Sequence, residues 1–412
     1  MVKEGYKKTD LGVIPEDWDI IELRKPLGHL EAGTSVNSSN DIQSTHRILK
    51  TSAIHGGIVD LNESKDVIPS DVCRLKCPVR QGSLIISRMN TPQLVGECGY
   101  VSSTRKDVYL PDRLWQTQNV EGYNYKWLNY LLNLPFYRNA VRAAATGTSN
   151  SMKNISKEDM YSISIPCPKI KEQNAIAEAL SDIDTLIANL EKLIEKKKVI
   201  KQGAMQELLT GKRRLAGFKD EWRNTQIKQV CTFKNGGTPS KLRKEWWQGT
   251  IPWISSSDFF CDDINNISIT RFITQEAIDN SATKLCPANS VLVVSRVGVG
   301  KVAVAPCDLC TSQDFTTLIP YHHDPYFLAY VLLSIMKEKS SQTQGTSIKG
   351  ITSTSIGEIE VPQPSLEEQI AIAGILSDMD RDVEILEKQL AKHRLIKAGM
   401  MAELLTGRIR LI

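Results

Sequence analysis

The sequence predicts an α+β chain built twice over: two similar globular domains separated by two long antiparallel coiled-coil helices, related by a pseudo-twofold internal repeat. Three observations predict it. A segment from Ile165 to Leu215 recurs from Val361 to Leu411 without a gap and with roughly half its positions identical, at a period too long for a stacked solenoid. Both copies carry apolar residues at coiled-coil spacing. The stretches between them are short β-branched runs separated by polar Gly, Ser, Thr and Asn loops.

The copies read IPCPKIKEQNAIAEALSDIDTLIANLEKLIEKKKVIKQGAMQELLTGKRRL and VPQPSLEEQIAIAGILSDMDRDVEILEKQLAKHRLIKAGMMAELLTGRIRL. Each opens on two prolines, Pro166 and Pro168 or Pro362 and Pro364, which suit an extended lead into a helix. Ile176, Leu180, Ile183, Ile187, Leu190 and Ile194 then alternate steps of four and three, and Ile372, Leu376, Met379, Val383, Leu386 and Leu390 repeat them. A 3.5-residue period fits a helical partner better than the face of a globular domain. The two helices are therefore expected to pair with each other, the first carrying the chain out of one domain and the second bringing it back. Each ends near Leu-Leu-Thr-Gly, with Gly211 or Gly407 as the stop.

The stretches before the helices match at landmarks only. Asp17-Trp18 corresponds to Glu221-Trp222, and Gly33-Thr34 to Gly237-Thr238. Leu84 to Arg88 corresponds to Leu292 to Arg296, Trp127 to Tyr130 to Phe327 to Tyr330, and Gly147-Thr148-Ser149 to Gly345-Thr346-Ser347. The expected division is a domain at 1–165, a helical spacer at 166–212, a second domain at 213–361 and a second spacer at 362–412. A scaffold kept alike in both copies suits identical partners or its own twin, whereas diverged domains suit different targets. Within the domains, Leu84 to Ser87 and Val291 to Ser295 read as strands. Arg296 to Ala305 reads as a glycine-rich hairpin with a basic tip, and Trp127 to Leu134 and Tyr326 to Met336 read as buried helices.

Composition narrows the class. With 412 residues, 41% hydrophobic and 24% charged, the chain has material for two or three ordinary cores. Its nine cysteines are odd in number and scattered, which fits reduced thiols rather than a secreted framework. Cys307 and Cys310 have zinc spacing, but no second pair completes a ligand set. His322 and His323 read as surface residues. The lysine-rich start lacks the apolar core of a signal peptide, and no stretch approaches a membrane span, so a cytoplasmic protein is expected. A net charge of +4 permits nucleic-acid binding without requiring it.

Chemical motifs fall short. Gly298-Val299-Gly300-Lys301 lacks the earlier glycine and the following Ser or Thr of a phosphate loop, since Ser295 and Val302 stand there. Asn133-Leu134-Pro135-Phe136 resembles a methyltransferase tetrapeptide, but no glycine-rich strand–turn–helix precedes it. Asp112 and Glu121 are too isolated to argue for a magnesium site. No catalytic residue, metal or cofactor is expected.

Gly12-Val13-Ile14-Pro15-Glu16-Asp17-Trp18, Gly217-Phe218-Lys219-Asp220-Glu221-Trp222 and the paired EQ…LLTG helices together resemble the specificity subunit of type I restriction–modification systems, over essentially the whole chain. The resemblance implies two target-recognition domains, each reading half of a split site on double-stranded DNA. It also implies docking to two methyltransferase subunits, with restriction subunits joining the assembled complex. Methyl donor and nucleotide would be bound by those partners. Alternative readings are a protein-only coiled-coil scaffold and a self-contained methyltransferase or nuclease.

Polar, glycine-containing loops with basic residues suit both phosphate and base contacts. They nominate Thr34, Ser35, Asn37, Arg88, Asn90, Thr91, Ser149, Asn150 and Lys153 in the first domain. In the second they nominate Thr238, Ser240, Lys241, Arg243, Lys244, Arg296, Lys301, Gln344, Thr346 and Lys349. Arg88 and Arg296 rank first because each follows a matched strand. Either is placed to hold a guanine by two hydrogen bonds or to pair with a buried acid. The runs Lys196-Lys197-Lys198 and Lys212-Arg213-Arg214 read as solvated faces, or as groups approaching phosphates or an acidic partner.

Overall fold

Runs rich in Val, Ile and Leu fold as strands buried on both faces, as their composition implies. The computed structural model describes residues 3–149, 151–259, 263–342 and 350–411. Two units make up the chain, Met1–Asn189 with Leu390–Ile412, and Leu190–Gln389.

In the first unit the main sheet holds β1 (Leu30–Ala32), β2 (Leu84–Ser87), β3 (Cys98–Tyr100) and β4 (Leu114–Thr117) in the order β1-β4-β2-β3, extended by Gly57–Val59 and Ile54–His55. A smaller sheet joins Val108–Tyr109, Arg47–Leu49, Ser64–Val67 and Ser38–Ser39. Helix α1 (Tyr125–Leu132) is capped by the Asn124 side chain, which accepts from the Lys126 and Trp127 N–H groups. Helix α2 (Ile170–Leu208) starts here and ends in the other unit. One core joins Trp18, Leu84, Ile86, Trp115, Trp127 and Leu128 to Ile176 and Leu180 of α2.

The second unit repeats the plan. Its main sheet holds β5 (Cys231–Asn235), β6 (Val291–Val294), β7 (Val302–Val304) and β8 (Phe315–Pro320) in the order β5-β8-β6-β7. A smaller sheet joins Phe272–Ile273, Ile251–Ile254, Leu309–Thr311 and Leu285–Cys286. The expected hairpin is present as β6 and β7, with Val291 opposite Val304. Helix α3 (Pro325–Gln342) follows, then α4 (Leu366–Leu404), which starts here and ends in the first unit.

The heptads do pair helix against helix. Within the second unit, α2 and α4 run antiparallel: Lys197 lies 2.8 Å from Asp382, Lys198 2.7 Å from Glu387, and Lys201 pairs with Asp380. Within the first, Lys397 of α4 lies 2.6 Å from Asp184 of α2. Ile176, Leu180, Leu190, Ile194, Ile372, Leu376, Val383 and Leu390 are buried; Ile183, Ile187, Met379 and Leu386 are half-buried. A tyrosine locks each pairing in the same way. Tyr130 donates to Asp184 at 2.7 Å and Tyr330 to Asp380 at 2.6 Å. The partner lysine lies over the ring in both places, Lys397 at 5.6 Å and Lys201 at 5.5 Å. Burial first, and then the neighbouring carboxylate, push both phenols well above their usual range, so both remain donors.

The same economy explains the paired EQ and LLTG motifs. In the first unit the Trp18 indole donates to Glu172 at 2.8 Å, and Arg410 grips Glu172 through Nε at 2.5 Å and Nη2 at 2.9 Å. In the second the Trp222 indole donates to Glu368 at 2.9 Å, and Arg214 grips Glu368 with two bonds of 2.8 Å. Each glutamate side chain is only 1% exposed, so its charge requires this forked partner. Arg214 follows the end of α2 and Arg410 the end of α4. Each unit is therefore closed by the tail of the helix that began in the other. Gly407, at φ +71°, also lets the tail pass close to Pro15, where an added Cβ would lie 2.5 Å from Cδ.

Two expectations change. His323 is 5% exposed, and its Nε2 lies 3.2 Å from the Pro362 carbonyl, so it belongs to the interior rather than the surface. The turn before α3 presses it against the strand that leads into α4. Arg214, 28% exposed, is committed to the buried Glu368 rather than lying on a solvated face, whereas Lys197 and Lys198 stay on a solvated face while pairing with carboxylates of α4.

Candidate nucleic-acid interface

Sheet order decides which loops meet. In the first unit β1 and β2 both lie antiparallel to β4, with Ala32 opposite Trp115 and Ser87 opposite Leu114. Their C-terminal ends therefore open on the same sheet end. In the second unit β5 and β6 flank β8, with Asn235 opposite Thr316 and Val294 opposite Phe315, to the same effect. Thr34, Ser35, Asn37, Arg88, Asn90 and Thr91 in the first unit, and Thr238, Ser240, Lys241, Arg243, Lys244 and Arg296 in the second, follow these strands, so topology gathers loops that lie 50 or more residues apart in sequence.

In the first unit the loop after β1 carries Thr34, Ser35 and Asn37. Gly33 begins it because a Cβ there would lie 1.6 Å from the Leu110 carbonyl oxygen. The Asn37 backbone and side-chain amides both donate to Asp71, at 2.8 and 3.2 Å, and Arg74 bridges Asp71 to the Ser35 carbonyl at 3.1 Å each. The Asn37 N–H, and after it the Arg74 guanidinium, hold the Asp71 carboxyl below its usual range. After β2, strand Met89–Asn90 pairs with Met152–Asn154, bringing Asn90 opposite Lys153 beside Arg88 and Thr91. Lys153 donates to the Gly147 carbonyl at 2.8 Å, and Asn90 is tied to Ser87 Oγ at 3.2 Å and to the Thr91 N–H at 2.8 Å. Ser149 is placed through its backbone pairing with Met152. Asn150 lies outside the described residues.

Arg88 and Arg296 rank together in sequence but occupy different places. Arg88 donates its N–H to the Arg113 carbonyl and accepts from the Ile155 N–H. In the second unit Ser295 takes that place, donating to Asp314 and accepting from Ile351, which puts Arg296 one residue further out. Arg88 is accordingly half-buried, with its guanidinium 5.9 Å from the Trp115 ring centroid and its Nε without an acceptor among the described residues. Arg296 is exposed.

The second unit exposes more positive charge, with Arg243 lying 3.5 Å from Glu245. Ser240, Lys241, Arg243, Lys244 and Arg296 are all exposed. Thr238 is held by its hydroxyl on Gln313. Gly236 and Gly237 let the loop leave the sheet, since an added Cβ would lie 2.0 Å from the Ser312 oxygen or 2.4 Å from the Ala282 carbonyl carbon. Lys301 does not form a basic hairpin tip. Its ammonium turns inward to the carbonyls of Ser256 at 3.2 Å and Phe259 at 3.1 Å. Gln344, Thr346 and Lys349 lie outside the described residues. Sequence reasoning passed over Leu242, set among these cations and 93% exposed; its only signal was an apolar residue in a basic turn.

Among the described residues no three His, Cys, Asp or Glu side chains gather as a metal site, and no helix is long and apolar enough to cross a membrane. Burial pushes the Cys310 thiol up to about 11, which keeps it protonated at neutral pH.

The family model for the type I restriction modification DNA specificity domain matches residues 15–202 and again 219–392. A putative type I restriction enzyme specificity subunit, MjaX, from Methanocaldococcus jannaschii is 26% identical over 99% of this chain and 97% of its own length. The EcoR124I/EcoR124II specificity subunit of Escherichia coli is 29% identical over 58% of this chain and 63% of its own. The solved S subunit of a type I restriction–modification system from M. genitalium shares the fold, with a TM-score of 0.60 at 17% identity over 94% of this chain and 96% of that one.

Proposed function

Because the chain belongs to the type I restriction modification DNA specificity family, matched by two copies of its domain over most of the length, we propose that it reads a split, asymmetric DNA site, one half through the loop end of each unit. The carrying observation is the contrast between frame and tip. Sheet order, helix pairing, tyrosine lock and glutamate latch recur in both units. The loops at the sheet ends do not recur: one offers Ser35, Asn37 and a half-buried Arg88, the other Lys241, Arg243, Lys244 and an exposed Arg296. A common frame with unlike tips suits two different sequences, with cations on phosphates and polar side chains on base edges.

Chemistry then falls to partners. The chain acts with two methyltransferase subunits and, in the full assembly, with restriction subunits, and is not itself an enzyme. Leu193 and Ile200 of α2, seven residues apart and so on one face, remain exposed, which supports docking of a partner helix there. Purified chain, DNA and methyl donor test the division of labour. Methyl transfer is expected only when the methyltransferase subunit is added; turnover by this chain alone would overturn it.

A further inference from the structure

We propose that Leu242 contacts base edges directly: an apolar tip which the second unit sets against thymine methyl groups in the major groove, while Lys241, Arg243 and Lys244 meet phosphates. The proposal rests on the DNA reading above and adds a residue and a base to it.

Leu242 is 93% exposed, more than any other large apolar side chain of the described residues. Its neighbours Lys241, Arg243 and Lys244 are exposed as well. The exposure is built in. The Arg243 N–H closes a turn on the Ser240 carbonyl at 3.2 Å, and the Leu242 N–H lies 3.4 Å from Ser240 Oγ. Three tryptophans hold this turn from behind. Trp247 donates to the same Ser240 carbonyl at 3.2 Å, and its ring meets Trp253 edge to face at 5.0 Å. Trp253 donates to the Gly237 carbonyl at 2.9 Å. Buried Trp246 carries the Arg243 guanidinium 5.7 Å from its ring centroid, and its carbonyl accepts from the Thr274 N–H at 3.0 Å. A loose loop would fold its leucine onto these rings; this one is pinned with the leucine outward.

Exposed Lys241 and Lys244, with Arg243 beside them bonded to the solvent-exposed Glu245 at 3.5 Å in a surface pair that a phosphate can displace, select a polyanion as the occupant. On DNA the major groove is wide enough for a tight turn, and the thymine C5-methyl is the apolar feature within it. The same sheet end carries a second instance, Val297, 72% exposed beside Arg296.

The test uses the full chain assembled with its methyltransferase subunit. Wild-type complex first selects its DNA from a random library. Each thymine in the half-site assigned to the second unit is then replaced by deoxyuridine, which removes the methyl group alone. Wild type is expected to bind about fourfold more weakly at one or two of these positions, the value of one buried methyl. Leu242→Ala is expected to bind the original duplex about tenfold more weakly and to lose the thymine–uracil difference, with unchanged melting. The proposal is overturned if wild type is indifferent to every uracil, if that half-site holds no A·T pair, or if Leu242→Ala keeps the full difference. It is also overturned if Leu242→Ala weakens only subunit assembly, which would make the tip a protein contact. Selection of no DNA at all is a separate failure, because it removes the DNA reading on which the proposal stands.

Discussion

Replacing Arg410 by alanine removes the residue that closes the first unit. Glu172 would keep the Trp18 indole as a donor and lose both guanidinium bonds, while its side chain stays 1% exposed. Stranding one member of a buried pair costs about 3–5 kcal/mol. Arg410 is itself 24% exposed, so water reaches the gap and the expected loss is at the lower end, about 3 kcal/mol. For a unit of this size that lowers the melting temperature by about 6–12 °C. Calorimetry reads the size, and hydrogen exchange by peptide reads the place: protection falls around Trp18, Trp127 and the end of α4. Glu172→Gln supplies the control, because Arg410→Ala made on that background strands no charge and costs less. The pH dependence follows. The hydrogen bond from Arg410 is the largest cause holding the Asp17 carboxyl below its usual value. A depressed carboxyl contributes stability that is present above its unfolded pKa and lost as pH falls through the folded one, and Arg410→Ala shrinks that acid-side loss. A cost below about 1 kcal/mol, as for a surface pair, or lost protection confined to the second unit, would mean that Arg410 does not close the first unit.

Three further outcomes are expected. Arg214→Ala should loosen the second unit around Glu368 and Trp222 and leave exchange near Trp18 unchanged; the same peptide map checks it. Leu190→Pro, inside α2, should cost about 3 kcal/mol or more and weaken assembly with the methyltransferase subunit, read by thermal melting and by co-purification. Burial pushes the His323 imidazole below its usual 6.5. Its contribution is therefore complete above that value and lost as pH falls below it. Melting temperatures at about pH 7.5 and 5.5 should differ less in His323→Gln than in wild type.

The repeat carried most of the fold into view. Paired heptads in two like segments announced helix pairing, and Leu84 to Ser87 and Val291 to Ser295 announced strands, because period and β-branching are local signals. The latch stayed hidden. Trp18, Glu172 and Arg410 are each ordinary in sequence, and only the antiparallel return of α4 brings Arg410 to a glutamate 238 residues away. The interface was legible in part for the same reason. Composition picks out polar basic loops, and sheet order then gathers Thr34 with Arg88 and Lys241 with Arg296. Composition does not report side-chain direction, so Lys301 read as a basic tip although two carbonyls draw it inward. The matched Arg88 and Arg296 differ by one place in the backbone bonding of Ser295, a shift that no pairing of residue letters records.

Division of the site between the two units predicts a specific pattern of selection. That pattern is read by selecting DNA with the assembled complex in three forms: wild type, Arg88→Ala and Arg296→Ala, each shown to be folded. Wild type should select two blocks of defined sequence separated by an unread gap. Each variant should relax one block only, and a different one, with discrimination at the affected position weakened by about 1–3 kcal/mol. A single uninterrupted block, or either substitution relaxing both blocks alike, would mean that the two units do not divide the site.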